Sequence, residues 1–140
     1  MGMTGLRSLD QSLITTKEWL NDLKQELCLE DEQDAYVIMR AVIHALRDRL
    51  PIDEAVDLGA QLPMLLRGVY YDGWDPTGKP IKIKSQSEFL AYVEEGLIGE
   101  IDSLTITKGV FKILQKRISN GEIKDIKNNF PKDLLPLWSE

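Results

Sequence analysis

Residues 41–72 read AVIHALRDRLPIDEAVDLGAQLPMLLRGVYYD, and residues 109–140 read GVFKILQKRISNGEIKDIKNNFPKDLLPLWSE. Set one above the other at a constant offset of 68, they match without a gap. Val42 meets Val110, Ala45-Leu46 meets Ile113-Leu114, and Leu50 meets Ile118. The polar and special residues follow the same register. Arg49 meets Arg117, Glu54 meets Glu122, Asp57 meets Asp125, and Gln61-Leu62-Pro63 meets Asn129-Phe130-Pro131. The spacing therefore reads as an internal duplication.

Upstream, the repeat continues at an offset of 70. Thr15 and Glu18 have capping-box spacing, in which a hydroxyl and a carboxylate satisfy orphan N–H groups at a helix start. Trp19, Leu23 and Leu27 follow one turn apart. Ser85 and Glu88 repeat the box, and Phe89, Val93 and Leu97 repeat the stripe.

Apolar residues recur at helical spacing throughout. The pattern predicts first helices over 16–28 and 86–97, second helices over 33–49 and 103–117, and third helices over 53–61 and 120–129. Ser119 and Glu122 supply a third box, and Pro51 suits a first helical turn. Pro63 and Pro131 each break the chain before a short fourth helix, Met64–Val69 and Lys132–Leu137. The expected fold is all-α: a three- or four-helix unit duplicated in tandem and packed as one helical bundle. Its parts are a flexible N-terminus (1–14), a first repeat (15–72), a Gly/Pro-rich linker (73–84) and a second repeat (85–140). Two units are too few for a solenoid, which needs about three.

Composition bounds the function. The 140 residues carry 17 Lys+Arg against 23 Asp+Glu, a net charge of −6. With 43% hydrophobic and 29% charged residues, the balance is that of a globular domain. The acidic excess disfavours a general nucleic-acid binder, because polyanion binding rests on neutralised phosphates. One Cys excludes an intramolecular disulfide framework. No apolar run approaches the ~18 residues of a transmembrane helix, and no signal-peptide pattern opens the chain, so a cytoplasmic location without membrane contact is expected.

The block LRDRLP…EA…L.AQLP.LLRG.YY.GWDP.GKP within 41–80 resembles a bacterial family, domain-of-unknown-function family number 2267. The resemblance covers most of the chain from about residue 15. It implies a helical fold and a prokaryotic-type cytosolic protein, and it brings no activity, cofactor or catalytic residue. The second copy departs from the pattern at Asn120-Gly121 and Lys127-Asn128-Asn129.

Candidate chemistry is thin. Gly73–Lys79 fits the first part of a phosphate-binding GxxxxGK loop, but Pro80 replaces the Ser or Thr that binds magnesium. A turn between the copies is the better reading. That linker still holds the best binding candidates: Tyr70, Tyr71, Trp74, Asp75 and Lys79. Over 67–84 the cations Arg67, Lys79, Lys82 and Lys84 outnumber Asp72 and Asp75. Exposed aromatics beside cations bind partners. The stronger reading of Trp74 is as a pin that packs the linker against the core.

His44 aligns with Lys112, a position suited to a solvated charge. Cys28 reads as a half-buried apolar residue. No zinc-ligand spacing, catalytic constellation or cofactor motif stands out. The sets Arg49/Glu54/Asp57 and Arg117/Glu122/Asp125 read as helix-terminus charges that suit the helix dipole, with pairing across the turn as a further option. The expected function is a non-catalytic protein-interaction or regulatory module with a protein partner. The alternative is a small-ligand binder or an enzyme using a cleft between the repeats.

Overall fold

The computed structural model describes residues 3–99 and 101–139. Among these the chain is all-α, with no strand. Its helices are α1 (Arg7–Glu26), α2 (Glu32–Arg49), α3 (Ile52–Ala60), α4 (Met64–Tyr71), α5 (Gln86–Glu95), α6 (Ser103–Arg117) and α7 (Asn120–Asn128), followed by a 3₁₀ helix (Lys132–Leu137).

Local signals explain most boundaries. Asp31 caps α2, Asp102 caps α6, and Ser85 with Glu88 forms a complete capping box on α5. Pro63 and Pro131 directly precede α4 and the 3₁₀ helix, where a missing N–H costs nothing. Residues 81–84 form no strand: Ile81 N bonds Asp48 O and Ile83 N turns back to Ile81 O, with Ile83 buried and Lys82 and Lys84 exposed.

Two expectations change. The first helix begins at Arg7, so 7–14 is not a loose terminus, and Thr15 and Glu18 lie inside the helix rather than at its cap. Ser12 is buried and its Oγ accepts from Leu65 N at 2.9 Å, tying these early turns to α4. Cys28 is exposed, not half-buried, and takes a left-handed φ of 54°. It ends α1 in a Schellman motif, with Leu29 N bonded to Lys24 O and Cys28 N to Gln25 O.

Packing crosses between the halves. α1 lies on α2 and α6, and α5 lies on α6 and α2. α1 also contacts α4, as α5 contacts the 3₁₀ helix. The middle helices meet as α2 on α6 and α3 on α7. The close approaches use small residues: a Cβ on Gly109 of α6 would collide with Leu27 of α1. One continuous core results, from Trp19 and Leu23 through Val42, Leu46 and Tyr70 to Phe89, Phe111 and Leu134. Its aromatic heart is Phe111 stacked on Trp138 at 4.1 Å, with Phe89 and Phe130 about them.

Candidate functional site

The linker candidates divide sharply. Tyr70 is fully buried and its hydroxyl donates to Ala55 O at 2.6 Å. Burial holds its phenol protonated well beyond the ordinary range. Fully buried, its ring presents no surface for a partner to contact. Tyr71 meets Tyr70 edge-on at 5.0 Å, and Trp74 tilts onto Tyr71 at 5.5 Å. Both outer rings are half-buried. Tyr71 lies over α3, where Gly59 leaves room for its phenol. Trp74 Nε1 is shielded and has no acceptor among the described residues. Packing therefore anchors the ladder while leaving part of two rings exposed. On the same side, Ile52 and Val56 of α3 are 44% and 45% exposed, one turn apart. Asp75 is exposed and accepts from Thr77 N, a bond that lowers its pKa. Lys79 is half-buried.

The end of α2 holds this linker. Arg47 and Asp48, both buried, form a two-pronged ion pair at 2.8 and 3.2 Å. Arg47 also donates to Tyr70 O and Asp72 O, while Ile81 N donates to Asp48 O. Arg49 donates to Ile83 O. Three consecutive residues thus bind both ends of the loop. Sequence reading missed Arg47 and Asp48, because their counterparts Gln115 and Lys116 share neither charge nor burial.

Beside this strap lies a cavity of about 250 Å³ between α2 and α5, lined by Arg40, His44, Arg47, Asp48, Tyr92 and Glu95. The Tyr92 hydroxyl donates to Asp48 Oδ2 at 2.6 Å; burial and this bond push its pKa up to about 12. His44 is half-buried with Nε2 on Val69 O at 2.6 Å, not a solvated residue like Lys112. Burial lowers its pKa, so the neutral ring donates to the carbonyl.

The duplicated charges stand at helix termini as expected, Arg49 and Arg117 in last turns and Glu54 and Glu122 in first turns, but they do not pair across the turn. Arg49 is spent on the linker, and Arg117 reaches Asp22 of α1 at 2.6 Å. Glu54 and Glu122 face each other where α3 crosses α7. Ser119 Oγ still accepts from Glu122 N, but the Glu122 carboxylate turns to Glu54 rather than back to the cap. Oxygens of Glu54, Asp57 and Glu122 all lie within 4.8 Å of one another. Burial, then Glu54, then the charges of Asp57 and Asp125 raise the Glu122 pKa to about 8. Asn129 Nδ2 donates to Glu54 Oε1 at 3.2 Å, and Gln61 Oε1 accepts from Ser119 N at 3.3 Å.

Fold and sites together define an all-α protein whose two halves share one core and whose polar groups concentrate where the halves cross. The chain belongs to the uncharacterised conserved protein family DUF2267, whose sequence pattern matches residues 16–137. No curated protein matches the chain. No helix among the described residues is long and apolar enough to cross a membrane.

Proposed function

We propose that this protein is a non-catalytic, cytoplasmic interaction or regulatory module, built as a tandem duplication of a four-helix unit. The mirrored packing supports the duplication: α1 on α6 answers α5 on α2, and the middle helices meet their own counterparts. The observation that carries the interaction reading is the surface of Ile52, Val56, Tyr71 and Trp74. Two outward aliphatic residues adjoin two aromatic rings already fixed by packing. Rigid aromatics with an apolar neighbour lose little entropy on binding and make good hot spots. Lys79, Lys82 and Lys84 on the same linker favour a partner segment that mixes apolar and acidic residues.

The test is stoichiometric capture of a partner from lysate by the native chain and by Val56→Glu. Val56 is exposed, so the variant keeps its melting temperature while losing at least about tenfold in affinity. Equal capture by both chains would place the partner elsewhere. A second reading, a small-ligand site between the halves, rests on the cavity lined by His44, Asp48 and Tyr92. Native mass spectrometry of the purified chain tests it: a retained small molecule, lost in Tyr92→Phe, favours it over the interaction module.

A further inference from the structure

We propose that Glu54, Asp57 and Glu122 form a divalent-cation site at the α3–α7 crossing, suited to Ca²⁺ by its carboxylate donors and bordered by Asp125. Three observations support the assignment. First, the donor set is all carboxylate oxygen, which suits a hard cation rather than zinc or copper. Second, Glu54 and Glu122 are each only 8% exposed, and the Oε2 of each is shielded and without a hydrogen-bond partner among the described residues. A buried carboxylate oxygen left unpaired is costly, and two facing each other are costlier. Third, the arginines that accompany these acids in the sequence bond elsewhere: Arg49 to Ile83 O and Arg117 to Asp22. No ion pair of the described residues includes Glu54, Asp57, Glu122 or Asp125.

Coordination preference selects among hard cations. Ca²⁺ accepts several carboxylates in flexible geometry, whereas Mg²⁺ demands near-ideal octahedral geometry and keeps its waters, so a cluster of three carboxylates favours Ca²⁺. The three oxygens already lie within 4.8 Å of one another. Two ligands come from α3 and one from α7, so a bound ion ties the two halves together. Asp57 is exposed, which leaves a path for entry and room for water ligands.

The competing arrangement is a shared proton between Glu54 and Glu122. Calorimetric titration of EDTA-stripped full-length protein with CaCl₂ and with MgCl₂ separates the two. One Ca²⁺ per chain is expected, with Mg²⁺ at least about tenfold weaker and a higher melting temperature in Ca²⁺. Glu122→Gln should weaken Ca²⁺ at least about tenfold, as should Asp57→Asn, which sits at an exposed position and keeps the fold. Glu30→Gln, an exposed acid outside the cluster, should bind as the native chain does. Absence of binding at millimolar Ca²⁺, or native affinity in both cluster variants, would overturn the site and leave the shared proton.

Discussion

The first half of the chain closes on α4 and the second on the 3₁₀ helix, and polar groups hold the two closures differently. In the first, the buried guanidinium of Arg47 binds the carbonyls of Tyr70 and Asp72 and pairs with Asp48. In the second, the neutral amide of Gln115, at the matching position, bonds Ser139 through its oxygen and its nitrogen. Both closures bury large apolar side chains: Leu66 and Tyr70 in the first, Leu134 and Trp138 in the second. The two closures are alike in their apolar burial and differ in their polar contacts. Polar groups of the first half strap the linker and, with Tyr92 and Glu95 of α5, line a cavity; in the second half Gln115 fastens the chain after the 3₁₀ segment and Arg117 reaches back to Asp22.

The largest expected effect sharpens that contrast. Arg47→Ala strands the buried Asp48 carboxylate and should cost about 3–5 kcal/mol by denaturant unfolding. Gln115→Ala removes neutral, exposed hydrogen bonds and should cost about 1 kcal/mol. Equal losses would break the comparison.

A smaller effect is pH dependence in the first half. Burial sets the folded pKa of His44 below 6.5, so the unfolded chain takes up the proton first as pH falls. The contribution of His44 is complete above about pH 6.5 and is lost as pH falls below it toward the folded value. Urea unfolding of native and His44→Gln chains between pH 7 and pH 5 measures this, and the variant should lose that part of the slope. The smallest effect concerns the end of α1. Cys28→Gly should stabilise by about 0.5–1 kcal/mol, because glycine adopts φ near +54° without steric cost.

Much of this fold was legible in the sequence. The second helices, expected over 33–49 and 103–117, run Glu32–Arg49 and Ser103–Arg117, because apolar spacing and C-terminal Arg residues mark them. Pro63 and Pro131 located the short helices after them, although the last is 3₁₀ rather than α. The start of α1 was not legible, since Leu6 gives no side-chain cap and the Thr15/Glu18 spacing imitates one. The candidate sites were legible only in part. Tyr71 and Trp74 stand at the surface as a partly exposed pair, but nothing in the sequence seals Tyr70 beneath Ala55. The repeat singled out Glu54 and Glu122 as a pair of positions. Their meeting across α3 and α7 is a tertiary fact, because periodicity specifies a helix face and not the partner it finds.

The two halves meet at the α3–α7 crossing, with Glu54 against Glu122. A double-mutant cycle of Glu54→Gln and Glu122→Gln tests it directly, by denaturant unfolding in EDTA at pH 9, above the Glu122 pKa of about 8. Each single change should stabilise the chain by removing like-charge repulsion. The double variant should gain less than their sum, with a coupling of about 1 kcal/mol or more. Gains that add to within about 0.3 kcal/mol would contradict the account, since carboxylates that do not face each other have nothing to share.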